Sequence, residues 1–162
     1  MKKAKKLLSV LAVMLLIVCM AVPVSAADKI SKSRATLLTG QTLQLKLSGT
    51  ETKWTSSKKS VATVSGSGKV TAKKSGSATI TAKVGKKKYT CKVTVESPKL
   101  SKKSLTLKVG KTSTIKVKGT KQTVKWKSSK KSVATVKNGK ITAKKAGTAN
   151  ITATILGKKF TC

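Results

Sequence analysis

The chain has 162 residues, 37 of them Lys or Arg against 3 Asp or Glu and no His, for a formal charge of +34. Without histidine there is no Ser–His or Cys–His pair and no His-containing zinc site. Asp28, Glu51 and Glu96 stand far apart in sequence, which makes a two-carboxylate hydrolase or a carboxylate calcium cage hard to build from them.

The first segment reads as an address. Met1 to Lys6 is a basic stretch, Leu7 to Val22 is apolar except for Ser9, and Pro23 leads into Val24-Ser25-Ala26. That layout, a basic start, an apolar core and small residues at the end, is a cleaved signal peptide over residues 1–26. As a membrane anchor the run falls short of the roughly 20 apolar residues a spanning helix needs. Lipid attachment at Cys19 would need a small residue before it, and Val18 stands there. The chain is therefore expected to be exported, with no transmembrane segment once the signal is cleaved.

The remainder repeats itself, and internal similarity takes precedence over local patterning. Trp54-Thr-Ser-Ser-Lys-Lys-Ser-Val-Ala-Thr-Val64 returns as Trp126-Lys-Ser-Ser-Lys-Lys-Ser-Val-Ala-Thr-Val136. Gly68 to Lys74 returns as Gly139 to Lys145, Gly76 to Ala82 as Gly147 to Ala153, and Tyr89-Thr-Cys91 as Phe160-Thr-Cys162. The offset drifts from 70 at Gly40 and Gly110 to 72 and then 71, which places small insertions in turns. Two domains follow, 27–97 and 98–162. The join at Ser97-Pro98 has no Gly/Ser-rich stretch, which favours a stiff pair over beads on a string.

Within a copy the period is two. Leu43, Leu45 and Leu47 alternate with Thr42, Gln44 and Lys46. Ala78, Ile80, Ala82 and Val84 alternate with Thr79, Thr81 and Lys83, and Tyr89, Cys91, Val93 and Val95 with Thr90, Lys92 and Thr94. Such alternation marks strands with one buried and one wet face. Gly40, Gly49, Ser65-Gly-Ser-Gly68, Gly76 and Gly85 punctuate them, and short strands with regular turn signals predict an antiparallel sandwich or barrel. The composition alone would also suit a disordered chain. Random polar sequence would not, however, place Trp, Gly and alternating apolar residues alike in two copies.

The three spaced blocks Trp54-x-Ser-Ser-x-x-Ser-Val-Ala-Thr-Val64, Gly68-Lys-Val-Thr-Ala72 and Gly76-x-Ala-x-Ile-x-Ala82 resemble the bacterial immunoglobulin-like domain, group 2. Both copies carry them. The resemblance implies an all-β fold of two tandem Ig-like β-sandwiches. It also implies a building block of bacterial surface and adhesin proteins, with no enzyme activity and no cofactor. Lys58-Lys59 and Lys130-Lys131 replace the acidic or turn-forming residues often found after the Ser-Ser pair, so no ligand carries over. Copy one continues past Cys91 with Lys-Val-Thr-Val95, and copy two stops at Cys162. Domain 2 is thus expected to lack its last strand. Either a longer polypeptide continues from there, or a strand donor fills the groove.

Trp54, Val64, Ile80, Tyr89, Cys91, Trp126, Val136, Ile151 and Phe160 are the expected core. A sugar-stacking role for the tryptophans is the functional alternative. Cys91 and Cys162 occupy equivalent positions in consecutive domains, too far apart for the roughly 7 Å between Cα atoms that a disulfide allows; an intermolecular bond through Cys162 is the remaining option. Lys58, Lys59, Lys73, Lys74, Lys86, Lys87, Lys88, Lys130, Lys131, Lys144, Lys145, Lys158 and Lys159 are the candidate polyanion contacts; Lys102 and Lys103 form a further surface pair. Edge protection explains some of these lysines but not the near absence of acids.

The expected partners are anionic cell-wall polymers or acidic polysaccharide at a bacterial surface. Specific nucleic-acid binding is not expected, because the aromatics that would stack bases are assigned to the core. A membrane-active role would need an amphipathic apolar face, and the apolar residues follow the strand period instead. The alternative from another class is the N-terminal stalk of a larger surface enzyme.

Overall fold

The computed structural model describes residues 29–47 and 52–162. The signal in 1–26, Cys19, Asp28, the turn at Gly49 and Glu51 lie outside the described residues. Copy one runs through β1 (Arg34–Leu38), β2 (Thr42–Gln44), β3 (Lys53–Ser56), β4 (Ala62–Val64), β5 (Lys69–Ala72), β6 (Gly76–Val84) and β7 (Lys87–Glu96). Copy two runs through β8 (Lys99–Leu100), β9 (Thr112–Thr114), β10 (Val117–Lys118), β11 (Lys125–Ser128), β12 (Ala134–Lys137), β13 (Lys140–Ala143), β14 (Ile151–Ile155) and β15 (Lys158–Thr161).

Each copy is a two-layer sandwich. In copy one a sheet ordered β1-β7-β6-β3 faces a sheet ordered β2-β5-β4. Copy two repeats this as β11-β14-β15 against β12-β13-β9, with β8 and β10 as a small extra pair. Among the described residues every ladder is antiparallel except β1 on β7, which is parallel. The alternation read from the sequence sets the layers: Ala78, Ile80 and Ala82 of β6 and Cys91, Val93 and Val95 of β7 are buried, and the residues between them face out.

The register is anchored by the tryptophans. Trp54 lies abreast of Ala82, and Ala82 abreast of Tyr89. Trp126, Ala153 and Phe160 form the same row in copy two. A fully buried alanine thus sits between two aromatics in each copy, leaving room for both rings. Trp54 packs on the turn glycine Gly68, where an added Cβ would lie 2.9 Å from the indole Cζ2 and 2.6 Å from the Leu45 carbonyl oxygen. Gly139 sits likewise under Trp126 and against the Ile115 carbonyl. Both glycines have φ of +81°, so the turn needs glycine for its backbone as well as for the space.

The insertions inferred from the drifting offset fall in turns. Copy one spans β4 to β5 with Ser65-Gly-Ser-Gly68. Copy two uses the shorter Asn138-Gly139, both residues at positive φ, the type I′ hairpin that Asn-Gly favours. The other insertion lengthens the segment before β11, between Lys116 and Lys125.

Lys92–Val95 is continuous with Tyr89–Cys91 in the ten-residue β7, whereas β15 has four residues. Arg34–Leu38 lies alongside Lys92–Glu96; its counterpart Ser104–Lys108 joins no ladder. A groove of about 890 Å³ opens there, lined among others by Leu105, Leu107, Ile141, Ile151 and Cys162. In copy one the same region is sealed by Val93 and Val95, 0% and 2% exposed, each contributing about 1.5–3 kcal/mol of burial. Among the described residues both thiols are free: Cys91 is buried and Cys162 half-buried. Burial raises the pKa of each, against the opposing charge of Lys32 and Lys102 respectively.

Gly68→Ala is expected to destabilise copy one by about 2 kcal/mol or more, because positive φ and a backbone clash act together. Gly66→Ala in the same turn, with open space around it, should change little. Urea unfolding of the two variants separates the outcomes.

Candidate polyanion-binding surface

Every lysine in the described residues is exposed, as is Arg34. Three arrangements organise them. The first is a corner of four lysines per copy. The Val61 N–H donates to the Lys58 carbonyl, and the Val61 carbonyl accepts from the N–H groups of Lys73 (2.7 Å) and Lys74 (3.3 Å). Two turns remote in sequence are thereby pinned together, bringing Lys58, Lys59, Lys73 and Lys74 to one corner. Val133 repeats this with Lys130, Lys144 and Lys145 at the same distances from the latter two, gathering Lys131 as well. The sequence named all eight; the structure shows that they form two groups.

The second arrangement is the outer face of the four-stranded sheet. Lys53 pairs with Lys83, and Lys83 with Lys88, so three lysines stand abreast. The next outward row is Thr55, Thr81 and Thr90. Beyond it Thr79, Lys92 and Arg34 are abreast, followed by Ser77, Thr94 and Thr36. Rows on one face recur about every 7 Å along the strands, and strands lie about 4.8 Å apart. Copy two carries a shorter version, Lys125-Thr154-Lys159 and then Lys127-Thr152-Thr161. Of the face lysines only Lys88 and Lys159 were expected. Lys53, Lys83, Lys92, Lys125, Lys127 and Arg34 were missed. The alternation marked Lys83 and Lys92 as outward, but cross-strand register is not readable from a single strand. Lys86 lies in the hairpin, and Lys87 begins β7 opposite Val84.

The third arrangement is the joint between copies. Lys158 donates from Nζ to the Thr39 carbonyl at 2.9 Å, so its ammonium is engaged in the joint. Gln41 donates from Nε2 to the Leu156 carbonyl at 2.8 Å. Glu96, the one carboxylate side chain among the described residues, accepts from the Thr120 hydroxyl, from the Lys121 N–H at 3.3 Å and from Gln122 Nε2 at 3.4 Å. Gly119 packs so closely on the Ser97 carbonyl that a Cβ there would clash, and Pro98 is buried. The loop that grips Glu96 is the segment lengthened in copy two.

The expected core residues sit as follows. Ile80 and Cys91 are fully buried and Ile151 nearly so. Trp54, Val64 and Tyr89 are partly buried against the copy-one core, Trp126 and Val136 against that of copy two. Phe160 is half-buried and lines a hollow with Pro98 and Leu100 near the joint.

Three like charges abreast cost stability in the free protein. Lys83→Thr, which installs the residue copy two carries at Thr154, should stabilise copy one by about 0.5 kcal/mol at low salt. The gain should shrink at high salt as screening takes over; thermal melts at two ionic strengths check it. Glu96→Ala should leave both sandwiches folded by circular dichroism while broadening the distance distribution in small-angle scattering, because the joint loses its acceptor.

The profile of the bacterial Ig-like domain (group 2) family matches residues 26–93 and 94–158. No curated protein sequence matches the chain. Among solved structures, the C-terminal 282-residue fragment of intimin, in complex with the intimin-binding domain of the translocated intimin receptor, is similar over 83% of this chain and 62% of that one. Its TM-score is 0.50 at 17% identity, a likeness of fold. The S-layer protein rSbsC(31-844) is 25% identical over 72% of this chain, with a TM-score of 0.37, and this chain spans 20% of its length. SbsC domains 4 and 5 are likewise 25% identical, with a TM-score of 0.37, over 74% of this chain and 79% of that one. With one profile match on each repeat, together spanning most of its length, the chain belongs to the bacterial Ig-like domain (group 2) family.

Proposed function

We propose that the chain is an exported, non-enzymatic module of the bacterial cell surface or wall. It acts as a spacer or adhesive unit, held on anionic wall polymers or acidic polysaccharide through its lysines. The observation that carries this reading is the row of Lys53, Lys83 and Lys88 across one sheet face. An arrangement that costs stability in the free protein becomes favourable once a polyanion lies over it and releases the mutual repulsion. The four-lysine corners on Val61 and Val133 extend the same field. Attraction of this kind acts over about 8 Å at physiological salt and is weakly selective.

The joint supports the spacer half of the reading. Two sandwiches tied through Glu96, Gln41 and Lys158 transmit position from one to the next, as a spacer must.

Bound to isolated cell walls at low ionic strength, the protein should elute as salt is raised, and the triple variant Lys53→Gln, Lys83→Gln, Lys88→Gln should elute at lower salt. Equal partition into the soluble fraction at low and high ionic strength would defeat retention by charge.

A further inference from the structure

Copy two has a concave feature that the flat cationic faces do not. β11 ends one of its sheets and β12 ends the other, so both layers terminate along one edge. An open recess of about 700 Å³ lies there, lined by Trp126, Val136, Thr135, Thr154 and three lysines, Lys125, Lys127 and Lys131. The volume falls within the roughly 300–1,000 Å³ of small-molecule sites. Its lining is mostly polar and cationic, with Trp126 and Val136 as the apolar surface.

We propose that this recess binds a single acidic sugar unit, a uronate or similarly charged pyranose, of an anionic polysaccharide. The proposal rests on the anionic-partner reading above and gives it a selective component. Trp126 is partly buried against the copy-two core, with its Cζ2 edge over Gly139. The core thus fixes the indole while part of it remains at the recess, and a fixed aromatic surface offers the apolar C–H face of a pyranose a partner at little entropic cost. Val136 extends that floor. Thr135 and Thr154 are half-buried, and their hydroxyls can donate to and accept from sugar hydroxyls. The three ammonium groups supply charge for a carboxylate, and the one described carboxylate side chain, Glu96, is engaged at the joint.

Charge alone does not call for this construction. A phosphate chain gains nothing from an indole and a valine, whereas a sugar ring bearing a carboxylate uses both the floor and the lysines. Copy one differs at the corresponding positions, with Thr55 in place of Lys127 and Lys83 in place of Thr154. Copy one keeps Trp54, Val64, Lys53 and Lys59, so the two copies differ in where the third lysine stands, and the proposed site is the recess lined by Trp126.

The test is a titration of the full chain with tri-galacturonate, a neutral trisaccharide and inorganic polyphosphate. In a Trp54→Phe background Trp126 is the sole tryptophan, and its emission should shift saturably with tri-galacturonate, much less with the neutral sugar, and not with polyphosphate. If that background fails to fold, the two indole N–H resonances of the unmodified chain give the same readout, with one perturbed. Lys127→Gln with Lys131→Gln should weaken tri-galacturonate binding about tenfold, the effect of losing one charge-assisted hydrogen bond. The charge-matched pair Lys116→Gln with Lys118→Gln, both exposed and outside the cationic face and corners, should change it less than about twofold. Equal losses in both variants, or the same indole response to polyphosphate, would overturn the recess and leave charge retention standing. Failure of polyphosphate to bind the chain at all would instead count against the charge reading itself.

Discussion

The packing of one tryptophan on one turn glycine in each copy fixes the rest of the sandwich. Trp54 over Gly68 and Trp126 over Gly139 tie an edge strand of one sheet to a turn of the other. Strand register has a period of two, so a slip by one residue would turn every buried side chain outward. Once the indole is seated, Ala82 or Ala153 must lie abreast of it and Tyr89 or Phe160 beyond. Every lysine between the apolar positions is then turned to solvent. The surface charge pattern is in this sense a consequence of the core. A sequence that places lysine at alternate positions of paired strands has no means of separating the lysines once the core has set the register.

Much of this was legible from residues alone because the chain states its pattern twice. Repetition of the Trp, Gly and alternating apolar positions indicated the number of units and the inward residues and left a sandwich or a barrel open; the resemblance to the family implied the two-layer sandwich. Ile80, Cys91 and Ile151 are buried as their register requires. Contacts between strands were not legible. Lys53, Lys83 and Lys88 are tens of residues apart at the extremes and meet only through two ladders. The parallel placement of Arg34–Leu38 on the second half of β7 leaves no mark in either segment. The four-lysine corners were visible as dipeptides, but their grouping depends on backbone hydrogen bonds to Val61 and Val133, which any residue could make.

The choice of cation bears on the kind of recognition the surface can perform. Arg34 is the single arginine of the chain; the rest of the positive charge is carried by ammonium groups on flexible stems. Guanidinium forks read planar carboxylates and phosphates by geometry, whereas ammonium groups act as hydrated point charges. A lysine surface therefore attracts broadly and discriminates little. Any selectivity must come from shape and apolar contact, which is why a recess with an indole in its lining differs in kind from the sheet faces.

Comparison of the two copies separates what folding requires from what is free to vary. The Trp-Gly pairs, the alanines beside them and the Val61 and Val133 turns are held in common. Differences fall in the loop before β11, in the turn between β4 and β5 against that between β12 and β13, at outward positions such as Thr55 and Lys127 or Lys83 and Thr154, and at inward positions such as Leu43 and Ser113. The lengthened loop is the one that reaches Glu96 and Ser97. The extra residues of copy two thus lie where copy one is met, a position at which an insertion changes how two sandwiches are joined without disturbing either core. Leu45 and Ile115, Val70 and Ile141, and Tyr89 and Phe160 exchange one apolar or aromatic residue for another of similar size, as a close-packed interior requires, whereas the outward positions change charge and the joint changes length.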